Sequence, residues 1–293
     1  MREMHEAHPV GYGALRSPYT SPMTSLPKIA FVGGGNMATA ILGGLRRQGV
    51  PASQFLVVEP LASQRDKLAT EWGVMALPEA DISLTQAEVV VWAVKPQLFA
   101  QAALPCAPHV GGALHLSIMA GIRSDTVVAA TGSPQVIRAM PNTPALVGRG
   151  ISGLYAREAV SATQRSLVET LLAPTGRTLW VAHEADLDAV TALSGSGPAY
   201  VFFFIEAMVQ AGVEMGLSAP QARELAQETF AGAAALAIQS AETPETLRER
   251  VTSKGGTTHA AITSMEVSGV KEAFVRALHA ARRRAQELGR STG

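Results

Sequence analysis

From Lys28 onward, short apolar runs alternate with polar, glycine-punctuated stretches, and their spacing predicts two halves of different construction. Lys28-Ile29-Ala30-Phe31-Val32 is short and apolar enough for a buried parallel strand, and Gly33-Gly34-Gly35-Asn36-Met37-Ala38 carries it into a helical pattern over residues 39–48. Similar runs at residues 55–58, 89–94, 113–118 and 136–140 predict further strands. Each stops at small or polar residues: Glu59-Pro60, Lys95-Pro96-Gln97, Met119-Ala120-Gly121 and Pro141-Asn142-Thr143-Pro144. Residues 151–155 and 177–181 predict two more strands that close the sheet.

From about residue 185 the pattern is helical alone. Runs at residues 186–217, 219–239, 244–250, 258–267 and 270–288 are separated by Gly, Ser or Pro. Alanine dominates several of them, and small side chains let helices approach closely, so this half predicts a bundle and a dimer interface. Phe202, Phe203, Phe204 and Met208 suit its core; His259 and His279 have no partner at metal-ligand spacing and suit a surface or a cap. Within the first run stands Ser194-Gly195-Ser196-Gly197-Pro198-Ala199-Tyr200-Val201. An interior glycine costs about 1 kcal/mol relative to alanine and a proline about 3 kcal/mol, so the segment marks a break. Either its amides and hydroxyls converge on a small polar ligand, or its small residues serve a close helix crossing. Gly255-Gly256-Thr257-Thr258, at the start of another helix, repeats the pattern as an anion nest or an ordinary capped start.

The expected fold is therefore an α/β N-terminal Rossmann domain with a mostly parallel sheet over residues 28–184, then an all-α C-terminal domain over residues 185–293. Residues 1–27, with several Pro, Ser, Gly and Thr and no compact apolar stretch, are expected to form a flexible extension, with Met23 a candidate start.

The glycine turn satisfies the GxGxxA spacing of a dinucleotide site. Gly33 allows the tight turn, Gly35 lets a pyrophosphate approach the backbone, and Ala38 permits close helix packing. A plain tight turn is the alternative, but the flanking strand and helix are both present. Glu59 lies slightly further past Gly33 than the usual ~20 residues, where an acid accepts from an adenosine ribose and repels a 2′-phosphate. Arg65 and Lys67 follow closely and could offset that charge, which leaves NADPH or NADH open. Lys95 suits either chemistry or solvation; Asn142 suits either a carboxamide contact or an Asx turn.

Composition narrows the classes. With 293 residues, 47% hydrophobic and 16% charged, the chain can bury a large core in two domains. Lys+Arg and Asp+Glu balance at 24 each, which gives no field toward nucleic acid or an anionic membrane. No window approaches roughly 18 uninterrupted apolar residues, so a soluble protein without a membrane span is expected. The single cysteine, Cys106, cannot form an internal disulfide or a CxxC metal site; it suits a cytoplasmic setting and a core role, and no metal is expected.

The strings GGGNM, AVKP, RAMPNTPALV, LSGSGPAYVF and TSKGGTTHAAI, in this order across residues 28–288, resemble the pyrroline-5-carboxylate reductases. The resemblance implies hydride transfer from NADPH or NADH to the C=N bond of 1-pyrroline-5-carboxylate, giving L-proline, and a homodimer with interlocked helices that assembles into a larger homo-oligomer. It implies that Gly33, Gly34, Gly35, Asn36 and Met37 hold the pyrophosphate, with Ala93, Val94, Lys95 and Pro96 along the dinucleotide. Ala120 and Asn142 would stand near the nicotinamide end. The substrate carboxylate would lie on Gly255, Gly256, Thr257 and Thr258, with Ser196 on the opposite wall near the partner subunit and Thr258 placed to orient or relay a proton at the ring nitrogen.

Two departures stand out: Lys254 where many members have Pro, and Glu59 where they have Ser or Thr. An imine can take its proton from solvent or a hydroxyl, so no buried acid–base pair is required, and orientation can supply roughly 7–11 kcal/mol of the barrier. Other readings are a related reductase for a different cyclic imine, or a non-catalytic dinucleotide binder. A β-hydroxy-acid dehydrogenase would need a lysine on the first long helix of its second domain, and residues 186–217 contain none.

Overall fold

The computed structural model describes residues 26–291. The expected extension, Met23 included, lies outside the described residues apart from Leu26 and Pro27. Leu26 is buried in the same core as Ile29 and Leu45, and its carbonyl accepts from Gln54 Nε2 at 3.1 Å.

Eight strands form one sheet: β1 (Ile29–Val32), β2 (Phe55–Val58), β3 (Ala76–Leu77), β4 (Val89–Trp92), β5 (Leu114–Ser117), β6 (Val136–Met140), β7 (Gly150–Ala156) and β8 (Gly176–Trp180). Their order is β3-β2-β1-β4-β5-β6-β7-β8. Pairing is parallel from β3 through β6; β7 runs antiparallel to β6, and β8 parallel to β7. The first six strands follow the doubly wound order, whose switch point lies between β1 and β4.

Alternation along the strands builds two cores. Ile29 and Phe31 face one layer with Ile41, Leu42 and Leu45 of α1 (Asn36–Arg47) and Val168 and Leu172 of α5 (Ala162–Leu172). Ala30 and Val32 face the other, with Phe99, Ala103 and Cys106 of α3 (Phe99–Val110) and Val127 of α4 (Ser124–Thr131). Burial on both faces is why the central strands read as unbroken apolar runs. One more helix, α2 (Ala62–Trp72), follows β2.

The helical half starts on the sheet. The run expected as one helix over residues 186–217 is α6 (Asp186–Val190), a π-helical turn (Thr191–Gly195) and α7 (Gly197–Glu214). Next come α8 (Ala219–Gln239), α9 (Pro244–Arg250), α10 (Thr257–Val267) and α11 (Val270–Ser291). Gly153 of β7 makes room for Val190, since a Cβ there would stand 2.6 Å from Val190 Cγ1.

Ion pairs join the halves. Glu184 accepts from Arg138 Nη1 at 2.8 Å and from the amide and hydroxyl of Ser124 at 2.6 and 2.8 Å, while Arg123 pairs with Asp188 at 3.1 Å. Burial raises the Glu184 carboxyl, but the Ser124 amide, Arg138 and the Ser124 hydroxyl outweigh it and hold it below the ordinary 4.5.

Beyond α6 the helices bury little. Gly212 of α7 meets Ala222 of α8, where an added Cβ would lie 2.8 Å from the Ala222 Cβ, so small residues do set the close crossing. The larger apolar side chains point away from it. Phe202 is 59% exposed, Phe203 67% and Met208 41%, so these three are not core within one chain, contrary to expectation. The continuous stretch Asp186–Glu214 is long and apolar enough to cross a bilayer by length and composition.

Gly153→Ala should cost about 1–3 kcal/mol in urea unfolding, and adding Val190→Ala should recover part of that loss; a single variant as stable as the parent would contradict the packing. A carboxyl depressed in the folded state contributes stability that is present above its ordinary value and lost as pH falls through the folded one. Glu184→Gln should therefore flatten the acid side of the stability profile below about pH 4.5, and an unchanged acid limb in urea titrations would refute this role.

Candidate active site

The turn after β1 is built against β4. Gly33 has φ +97°, and a Cβ on it would lie 2.7 Å from the Ala93 carbonyl, so both conformation and space demand glycine. Its amide donates to Val58 O at 2.8 Å, while Ala93 N donates to Val32 O at 2.9 Å. Gly33, Gly34, Ala93 and Val94 are thereby brought together at the switch point, where ligands of such sheets bind.

Gly35 and Asn36 face solvent, and a Cβ on Gly35 would meet nothing within 4 Å. The first turn of α1 holds no acidic residue, and its amides have no intrahelical carbonyl to donate to. This open, positively polarised cradle fits a pyrophosphate. Met37 is half-buried beside it, and Lys95 caps a short turn that begins at Pro96, with its side chain exposed.

Glu59 is buried just after β2. Its Oε2 accepts from Gly34 N at 2.8 Å and its Oε1 from Leu61 N at 2.9 Å. Gln64 Nε2 also donates to the Gly34 carbonyl, a brace on the turn that sequence spacing alone did not reveal.

The loop after β5 carries the half-buried Ala120, and Gly121 beside it touches Leu288 and Gly289 of α11. Asn142, after β6, donates through Nδ2 to Ser194 O at 3.1 Å and accepts through Oδ1 from Ile151 N at 2.9 Å. One amide thus ties the β6 loop, β7 and the π-turn, and it keeps one donor hydrogen and one lone pair for another contact.

The expected break at residues 194–201 takes the form of this π-turn, with Ser196 N donating to Thr191 O at 2.8 Å. Pro198, lacking a donor, stands in the first turn of the restarted helix where none is needed. The Tyr200 hydroxyl donates to Ala192 O at 3.0 Å, and Gly195 lies against Met140, whose Cε would be 2.6 Å from an added Cβ. π-Turns concentrate at functional sites. A groove of about 560 Å³ opens here, lined by Asn142, Ser194, Gly197 and Tyr200 among apolar side chains.

The second glycine loop lies elsewhere. Gly255 has φ +78° and Gly256 caps α10, whose first turn holds no acid; Thr257 is exposed and Thr258 half-buried. None of Gly255, Gly256, Thr257 and Thr258 lines the groove beside Asn142. α10 packs on α11, which in turn packs on the π-turn. One chain therefore joins the β6 loop to the π-turn through Asn142, and the Gly255–Thr258 loop does not line the groove between them.

Two buried groups lie outside this arrangement. Burial pushes the Cys106 thiol up to about 11 and pulls His115 down to about 4, and His115 Nδ1 accepts from Trp92 Nε1 at 3.0 Å. Among the described residues no cluster of His, Cys, Asp and Glu could hold a metal ion.

Comparisons with known proteins agree with both halves. Residues 184–288 match the family described as pyrroline-5-carboxylate reductase dimerisation, and residues 28–121 match NADP oxidoreductase coenzyme F420-dependent. The pyrroline-5-carboxylate reductase of Pseudomonas aeruginosa is 45% identical over 92% of this chain and 99% of its own. A solved pyrroline-5-carboxylate reductase from Coxiella burnetii superposes with a TM-score of 0.83 at 35% identity, covering 90% of this chain and 99% of that one. The Plasmodium falciparum pyrroline carboxylate reductase, solved with NADP bound, superposes at 0.79 with 26% identity over 90% of this chain and 98% of its own.

Gly33→Ala should abolish measurable dinucleotide binding in a fluorescence titration while the protein stays folded by circular dichroism; retained affinity would refute the placement of the turn.

Proposed function

This chain belongs to the pyrroline-5-carboxylate reductase family, and we infer that it reduces 1-pyrroline-5-carboxylate to L-proline with hydride from NAD(P)H, the last step of proline biosynthesis. The observation that carries the reading is 45% identity to a reductase of that name over nearly the full length of both chains. A glycine cradle at the sheet's switch point supports it from the side of the fold.

The amides of Gly35, Asn36 and Met37 hold the pyrophosphate, and Gly33 and Gly34 shape the turn beneath it. Ala93, Val94, Lys95 and Pro96 run along the dinucleotide, with Glu59 at its adenosine end. Ala120 and Asn142 stand at the nicotinamide end, where Asn142 also fixes the π-turn through Ser194 O. Bound NAD(P)H supplies the hydride.

The substrate carboxylate rests on Gly255, Gly256, Thr257 and Thr258, at a helix start free of acidic side chains. Thr258 orients the ring nitrogen or relays a solvent proton to it, and Ser196 forms the facing wall. Holding the imine carbon in near-attack geometry supplies most of the catalysis. Water exclusion strengthens the amide contacts with the carboxylate.

A second copy of the chain completes this site. The Gly255–Thr258 loop does not line the groove at Asn142, and the exposed Phe202, Phe203 and Met208 need an apolar cover. The same cover accounts for the apolar stretch Asp186–Glu214 without a membrane. We propose a homodimer assembling into a larger homo-oligomer, without nucleic-acid partners, in the cytoplasm. A Rossmann unit over residues 28–184 and a helical unit over residues 185–293 divide cofactor from substrate and partner duties.

Purified protein should oxidise reduced nicotinamide in step with proline formation from 1-pyrroline-5-carboxylate; no oxidation with either cofactor would refute the activity. Thr258→Ala should lower kcat on the order of a hundredfold with KM little changed. Gly256→Val should chiefly raise KM, because a Cβ there already meets Ser253 Oγ at 2.9 Å. Parental kinetics in both variants would sink this placement. Sedimentation should find no active monomer, and a fully active monomer would refute the shared site.

A further inference from the structure

We propose that Glu59 makes this enzyme select NADH over NADPH, and that Arg65, although adjacent, is no anchor for a 2′-phosphate. The proposal rests on the dinucleotide site inferred above. Glu59 follows β2, where an acid meets the two ribose hydroxyls of adenosine. It is only 7% exposed, and its two oxygens accept from Gly34 N at 2.8 Å and Leu61 N at 2.9 Å. Those amides belong to the glycine turn and to the start of α2, the backbone donors that an anion entering this corner would use. The carboxylate already holds them. Leu61 offers α2 no side-chain cap, and the first turn of α2 contains no acid, so Glu59 is itself the negative charge at that helix start.

Each Glu59 oxygen keeps acceptor capacity beyond its one backbone bond, which suits a pair of donating hydroxyls. A 2′-phosphate only accepts and carries its own negative charge. It would meet a fixed carboxylate with the nearby amides taken.

The neighbouring cations are drawn to other partners. Arg65 Nη1 donates to Glu59 O at 3.0 Å and to Pro60 O at 2.7 Å, which makes the guanidinium a brace for the turn. Lys67 lies 3.9 Å from Glu71, one helical turn along. Swinging Glu59 aside would release the Gly34 amide, which favours the carboxylate's present position.

The test titrates full-length protein with NADH and NADPH separately, without imine, and follows nicotinamide fluorescence. The parent protein should bind NADH tighter than NADPH by about tenfold or more. Glu59→Gln should bring the ratio of the two Kd values close to one, mainly through tighter NADPH binding. A variant that weakens both cofactors equally and keeps the ratio would overturn the proposal, because mere loosening of the turn does that. Arg65→Ala should leave the ratio unchanged, and selective loss of NADPH binding would also overturn it. Equal or tighter NADPH binding by the parent protein would remove the selectivity and leave the dinucleotide site standing; binding of neither would remove both.

Discussion

The helical half of this reductase cannot bury its own apolar side chains, and the rest of the arrangement answers to that constraint. Gly212, Ala222 and Ala226 are buried where α7 crosses α8, whereas Phe202 and Phe203 face outward. Burying such a side chain is worth roughly 1.5–3 kcal/mol, so an exposed row of them is a strong drive toward a second copy. The Gly255–Thr258 loop, in the same half, does not line the groove at Asn142.

The Rossmann half buries its own core, and it holds the helical half through few, well-placed contacts. Val190 enters the space above Gly153, Met140 lies against Gly195, and Asn142 reaches the carbonyl of Ser194. The ion pairs of Arg138 with Glu184 and Arg123 with Asp188 stand at the same junction. Buried pairs contribute modestly to net stability but fix geometry, because removing one partner leaves a charge without compensation. What they fix here is the position of the π-turn relative to the ends of the strands.

The chemistry asks little of the side chains and much of the backbone. Two glycine loops free amides at helix starts, and neither helix has an acid in its first turn. Burial favours the neutral forms of His115 on β5 and Cys106 on α3. A reaction driven by orientation needs rigid positioning more than a tuned acid or base.

By itself the sequence determined the α/β-then-α order, the seven longer strands to within a residue or two, and the family, because buried parallel strands and glycine turns leave local signals. It also marked residues 194–201 as a break, since Gly and Pro inside an apolar helical run carry a local cost. It did not reveal β3, which has two residues and no periodicity, nor α3, whose Pro105 and Pro108 read against a helix. Only the tertiary structure decided that the break is a π-turn held by Asn142, that Glu59 is clamped between Gly34 and Leu61, and that Phe202 and Phe203 are surface in one chain. Those facts depend on residues distant in the chain, or on a second chain, and hydrophobicity alone cannot say which surface a side chain will be buried against.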